Sequence, residues 1–310
     1  MTSHKFGSVA IIGRPNAGKS TLLNRILGQK VAITSNKPQT TRNRIIGIHT
    51  AENVQVVLVD TPGIHFAKTR LNRAMVTIAK DSLDNVEAVC VVVDAPRAHE
   101  QWPTGAAGIS PALEHIAVVV DEAGELPVSI ALNKIDQLPK EKLLPLMAGL
   151  HERLPTADIF PISALKGRGI KPLLAHWAAT LPEGPAMFPE DQVMDGTERF
   201  LVSELIREKI FRMTRQEVPY STGVEIEQFT EEDRPDGIPF VEIYAKIIVE
   251  RRPQKGILIG KGGSMLKRIG TAARKDIARL LGARVHLNLH VSVVERWTEK
   301  PHILHEFGIE

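Results

Sequence analysis

From Ser8 to Leu181, short apolar runs alternate with stretches whose apolar positions recur every three or four residues. That pattern predicts a mostly parallel sheet with helices on both faces. Residues 9–12, 45–49, 54–59, 86–93, 128–132 and 159–161 read as the strands, the third broken by Gln55. Between His99 and Glu125 helical spacing is mixed with Pro103, Gly105, Gly108, Pro111 and Gly124, and no role is assigned there. Residues 181–191 are rich in Pro and Gly; residues 182–195 therefore read as a linker between a domain of residues 1–181 and one of residues 196–310. After the linker, residues 199–214 carry Phe200, Leu201, Leu205, Ile206, Ile210 and Phe211 at amphipathic helical spacing. Residues 224–227 and 240–250 then alternate at period two, and residues 284–293 do so strictly through Val285, Leu287, Leu289, Val291 and Val293. The expected second domain is smaller and α+β, one sheet face against helices and the other toward solvent.

Composition changes this picture in two places. At 310 residues with 43% hydrophobic and 24% charged positions, the chain can bury about two ordinary cores, and its longest uncharged apolar runs are too short to span a bilayer. Residues 1–7 are polar, so no leader peptide is expected, and the single Cys90 inside an apolar run reads as a buried hydrophobe in a reducing cytoplasm. The overall charge of +3 conceals a segregation. Residues 182–245 carry 6 Lys/Arg against 15 Asp/Glu, a net of −9, whereas residues 246–296 carry 12 against 3, a net of +9. A compact basic block of this kind suits nucleic acid or an anionic membrane surface.

Candidate chemistry begins at the first strand. Gly13-Arg14-Pro15-Asn16-Ala17-Gly18-Lys19-Ser20 follows it and opens a helix at Thr21, a strand, loop and helix in the order a phosphate cradle needs. Glycines let consecutive amides and the positive helix end point at a β-phosphate; Lys19 supplies a point charge and the Ser20 hydroxyl a magnesium ligand. This motif leaves ATP and GTP open. Asn133-Lys134-Ile135-Asp136 follows the fifth strand, and one carboxylate there accepts both the N1 hydrogen and the N2 amine of guanine, which adenine lacks. Asn133 would tie this loop to the phosphate loop, the stem of Lys134 would cover the ring, and Ser163-Ala164-Leu165 would offer a backbone amide to O6. Asp60-Thr61-Pro62-Gly63 would place a carboxylate at magnesium and a glycine amide at the γ-phosphate. Thr41, with Thr40 as its rival, is the candidate threonine for the metal.

In the basic block, Gly260-Lys261-Gly262-Gly263 precedes a helix marked by Leu266, Ile269, Ala273, Ile277, Leu280 and Leu281. A Gly-x-x-Gly loop between two helix ends brings a nucleic-acid backbone close, with about four nucleotides in the adjoining groove. Lys255, Lys261, Lys267, Arg268, Arg274 and Lys275 are the phosphate candidates; Ile257, Ile259 and Leu266 line the base groove or the core.

Together these motifs resemble the Era family of bacterial P-loop GTPases, with an α/β P-loop GTPase domain and a C-terminal KH domain. Gly13-Arg14-Pro15-Asn16, Gln39-Thr40-Thr41-Arg42, Asp60-Thr61-Pro62-Gly63-Ile64 and the tail around Trp297 and Leu304 carry the likeness. The resemblance implies a monomeric GTP hydrolase with Mg2+, catalytic roles for Asn16, Lys19, Thr41 and Gly63, and nucleotide contacts that include Gly13, Ala17, Gly18 and Thr21. It also implies that the 3′ end of small-subunit ribosomal RNA is the ligand and late assembly of the 30S subunit the setting, in the cytoplasm or peripherally on the inner face of the cell membrane. Ile64 stands where Ras-like switches have a water-orienting glutamine, so intrinsic hydrolysis should be slow. Asn16 resembles an asparagine that in some relatives helps to seat K+; it could equally shape the loop. A static RNA-binding assembly factor with a structural nucleotide is the competing reading.

Overall fold

The computed structural model describes residues 4–34, 42–61, 85–101, 114–215, 218–235, 237–307 and 309. The chain divides into two units. Among the described residues the first is built on β1 (Lys5–Ile12), α1 (Lys19–Leu27), β2 (Ile45–Ala51), β3 (Val54–Asp60), β4 (Ala88–Asp94), α2 (Ala95–Glu100), α3 (Glu114–Ala123), β5 (Val128–Asn133), α4 (Lys140–Arg153), β6 (Ala157–Pro161), α5 (Ile170–Thr180) and β7 (Met194–Asp195). The seven strands lie in the order β6-β5-β4-β1-β3-β2-β7. β1, β3, β4, β5 and β6 run parallel, which puts Gly13, Asp60, Asp94, Asn133 and Ile162 at one end of the sheet, where open α/β sheets take ligands. β2 turns back antiparallel to β3 through a two-residue hairpin. The apolar runs are continuous because the central strands are covered: every residue of β1 from Val9 to Ile12 is fully buried, as is β4 from Val89 to Val92.

Residues 182–195, read above as a linker, are hydrogen-bonded to this sheet. Phe6 N donates to Pro182 O, and Met194–Asp195 pair antiparallel with β2 as the outermost strand. Gln55, the residue that interrupts the β3 apolar run, is fully buried. Its Oε1 accepts from Met187 N at 2.8 Å and Phe188 N at 2.9 Å, and its Nε2 donates to Phe188 O at 2.9 Å. A buried amide survives in a β-strand when all its groups are met, as here. In the unassigned stretch, α2 is started by Asp94, whose carboxylate accepts from Arg97 N, and α3 follows; residues 102–113 lie outside the described residues.

The second unit contains residues 196–310 together with the described residues 32–34. Its elements are α6 (Glu198–Met213), β8 (Gly223–Glu232), β9 (Phe240–Val249), α7 (Arg252–Ile259), α8 (Ser264–Leu281), β10 (Arg284–Val293) and α9 (Pro301–Glu306). β9 is the central strand, antiparallel to β8 and parallel to β10. Val241, Ile243, Ala245 and Ile247 from its inner face meet Ile269, Ala273 and Ile277 of α8 and Val202, Ile206 and Ile210 of α6 in one core. α6 is less amphipathic than its spacing suggests, because Arg207, Glu208 and Lys209 are buried with the apolar residues. Lys209 Nζ meets Glu208 at 2.9 Å and Asp276 of α8, and Arg212 meets Glu208 at 3.1 Å. Trp297 closes the chain's end: it is fully buried, donates to Ser221 O at 2.8 Å and stacks edge-on with Phe307.

Candidate functional site

The loop between β1 and α1 is shaped by positive-φ positions at Gly13, Asn16 and Gly18. Gly18 caps α1 at φ 104°, and a Cβ there would sit 2.2 Å from Asn133 Nδ2, so no other residue fits. Lys19 is 6% exposed and curls back over the loop, donating to Gly13 O at 3.0 Å and Arg14 O at 3.3 Å. Burial pushes its ammonium below the usual pKa, and the Asp60 carboxylate opposes that shift. Ala17 is buried, and Thr21 stands in the first turn of α1. A buried cation below the N-terminus of a helix is suited to a phosphate.

Two hard oxygen donors meet beside it. Ser20 Oγ donates to Asp60 Oδ2 at 2.8 Å, and both residues are buried. Magnesium takes one or two protein oxygens and completes its octahedron with phosphate and water, so this pair fits that ion. Thr41, its rival Thr40, and Gly63 lie outside the described residues.

The guanine-type loop is joined to the phosphate loop through one side chain. Asn133 Nδ2 donates to Ala17 O at 2.8 Å, and its Oδ1 accepts from Ala164 N at 2.9 Å, so the residue ties three segments at once. Lys134 adopts φ 68° and its Nζ meets Asp94 Oδ2 at 2.5 Å. Asp136 Oδ1 accepts from Ser163 Oγ at 2.5 Å. The structure thus gathers Gly13, Asn16, Ala17, Gly18, Lys19, Ser20, Thr21, Asp60, Asn133, Lys134, Asp136, Ser163 and Ala164 at one end of the sheet. Two braces were missed by the sequence reading. Asp94 both starts α2 and holds Lys134, and an Asp before Ala-Pro at a strand end is a legible helix start. Arg25, which reaches Ala164 O at 3.0 Å, has no sequence signal.

In the second unit the Gly-x-x-Gly turn separates α7 from α8. Gly260, Gly262 and Gly263 all have positive φ, and a Cβ on Gly260 would meet Met265 Cβ at 2.8 Å. Lys261, Lys267 and Arg268 are exposed around it and Lys255 is half-buried. Of the three groove candidates, Ile259 and Leu266 pack against the core, whereas Ile257 is 48% exposed. Among the described residues no helix is long and apolar enough to cross a membrane.

A family profile described as a 50S ribosome-binding GTPase matches residues 8–134, and one described as a KH domain matches residues 217–298. The chain is 49% identical to the GTPase Era of Trichlorobacter lovleyi over 310 residues, covering 100% of this chain and 99% of that one. It is also 49% identical to the GTPase Era of Geotalea uraniireducens over 312 residues, covering 100% of each. Among solved structures, a variant of Aquifex aeolicus Era bound to GDP and aluminium fluoride gives a TM-score of 0.89 at 40% identity, covering 98% of this chain and 99% of that one. Era in complex with MgGDPNP and nucleotides 1506–1542 of 16S ribosomal RNA gives a TM-score of 0.90 at 40% identity, covering 99% of each.

Proposed function

Because this chain belongs to the GTPase Era family and hydrolyses GTP, we propose that it is a switch whose GTP and GDP forms hold the 3′ end of small-subunit ribosomal RNA with different strength. Its setting is the processing of that RNA and late assembly of the 30S subunit, in the cytoplasm. The observation that carries this reading is the pairing, in one chain, of a phosphate loop wired through Asn133 to a guanine-type loop with a Gly-x-x-Gly turn ringed by lysine and arginine. The relative crystallised with both MgGDPNP and 16S ribosomal RNA supports carrying both ligands over.

In the first unit, the loop amides from Asn16 to Thr21, other than that of Ala17, and the buried Lys19 cradle the phosphates, and the Asp136 carboxylate accepts the two guanine donors. Lys134, anchored on Asp94, lays its stem over the ring, and the turn over residues 163–165 offers a backbone amide to O6. Ser20 and Asp60, with Thr41 as the expected third residue, would hold magnesium, which would supply neutralisation of phosphate charge there. Gly63, which lies outside the described residues, would offer its amide to the γ-phosphate and let go when that group leaves. With Ile64 in place of a water-orienting glutamine, unaided turnover is slow. In the second unit, Lys255, Lys261, Lys267 and Arg268 neutralise RNA phosphates while the glycine turn admits the backbone. A glycine turn between two helix ends suits the close approach of a nucleic-acid backbone, which supports RNA over a lipid surface as the ligand of this block.

The test is the affinity of the full chain for a 16S 3′-end RNA with GDP and with a non-hydrolysable GTP analogue. A clear difference is expected; equal affinities would leave a static RNA binder with a structural nucleotide, since a ligand that does not distinguish two states shifts neither. Crosslinking in cells followed by sequencing should recover the 3′ end of that RNA, and recovery of another region would overturn the choice of ligand.

A further inference from the structure

Arg25 lies in the last turn of α1, the helix that starts in the phosphate loop. From there it reaches the turn at the base end of the site. Its Nε donates to Ala164 O at 3.0 Å and its Nη2 donates to Leu165 O. Its Cδ lies 3.6 Å from where a Cβ on Gly167 would stand, so the stem runs along the turn. The same turn is held from its other side, by Asn133 Oδ1 on the Ala164 amide at 2.9 Å and by Ser163 Oγ on Asp136 at 2.5 Å. The carbonyl of Ala164 shares a rigid trans plane with the amide of Leu165, and the two point in opposite directions. Drawing that carbonyl toward the guanidinium therefore turns the amide away from Arg25.

We propose that Arg25 is a positioning residue for recognition of the atom at guanine C6. It holds the 163–165 turn so that its amide edge faces O6, without itself touching the nucleotide. A guanidinium can take two neighbouring carbonyls in one plane, which a single ammonium cannot. The proposal rests on reading this turn as the O6 donor.

The experiment measures affinities of the full chain for GTP, ITP and 6-thio-GTP, in the wild type, Arg25→Ala and Arg25→Lys. 6-thio-GTP keeps both donors that Asp136 reads and replaces O6 with a larger, weaker acceptor. ITP keeps O6 and lacks the N2 amine. The wild type should prefer GTP over 6-thio-GTP, and Arg25→Ala should shrink that preference by about threefold to tenfold, the size of one ordinary net hydrogen bond such as the amide–O6 contact. The GTP-to-ITP ratio should stay constant, and Arg25→Lys should restore part of the lost preference. If the wild type does not distinguish GTP from 6-thio-GTP, the O6 reading itself fails. If it does and Arg25→Ala distinguishes them equally well, only the role of Arg25 fails. Equal loss of both ratios in Arg25→Ala would mark general loosening of the turn and would also overturn it.

Discussion

At Asp136 one carboxylate oxygen is already held by the Ser163 hydroxyl, which fixes the rotamer before any base arrives. Replacing Asp136 with Asn would set an amide hydrogen against the guanine donors. The loss of a charge-assisted pair and an unmet donor amounts to about 3 kcal/mol, on the order of a hundredfold in GTP affinity. Xanthosine triphosphate, with an acceptor at C2, should gain in exchange; displacement of a fluorescent nucleotide measures both, and unchanged GTP binding would contradict base recognition by Asp136. Asn16 sits at φ 66°, a conformation that asparagine tolerates and glycine adopts freely. Asn16→Gly therefore keeps the loop and deletes only the side chain. If the side chain seats K+, turnover in potassium should exceed turnover in sodium for the wild type, and this difference should vanish in Asn16→Gly. Equal wild-type rates in the two salts would leave Asn16 as a loop-shaping residue. That Lys19, Ser20, Asp60 and Asn133 come together at one end of the sheet was legible, because their motifs follow directly on strands that run parallel. Arg25 was not, because it acts on backbone carbonyls about 140 positions away, and sequence carries no trace of such contacts.

Among elements, β10 is legible from end to end, since strict alternation over residues 284–293 has only one explanation. α6 is the opposite case. Three consecutive charged residues look like a solvated stripe, yet they are buried because Asp276, far along the chain, supplies a partner for Lys209. β4 is an unbroken apolar run with Cys90 at its middle, and burial there pushes the thiol up to about 12 from an ordinary 9.0. The sign of the consequence follows from proton counts. Between pH 9 and 12 the unfolded thiol loses its proton while the native one keeps it, so the native state binds more protons and stability falls as pH rises. The slope attributable to Cys90 approaches about 1.4 kcal/mol per pH unit. Urea unfolding from pH 8 to 10.5 should show a shallower decline for Cys90→Ala than for the wild type. Parallel curves would mean that the thiol ionises in the native state.

Across the whole molecule, charge is sorted rather than mixed, with a net of +9 confined to residues 246–296 from 12 Lys/Arg against 3 Asp/Glu. If this block meets single-stranded RNA, log affinity should fall linearly with log salt, by about 0.7 for each phosphate neutralised. Lys261→Ala and Lys267→Ala should each flatten that slope by roughly that amount and weaken different RNA sequences alike. A slope that stays unchanged would place the RNA elsewhere. Division into an α/β and an α+β unit was visible in the switch from run-like to alternating strands. The fate of residues 182–195 was not, because Pro and Gly describe what a segment cannot form and say little about what it lies against.

That segment bears on how the protein can be dissected. A fragment ending at residue 181 would keep every nucleotide motif, but it would strip Gln55 of its three backbone partners and uncover the open edge of β2. Such a fragment should expose a sticky strand and self-associate on a sizing column. A fragment ending at residue 195 should remain monodisperse and keep its GTP affinity, because the polypeptide carries its own edge guard one helix and one short segment past the last nucleotide-site turn.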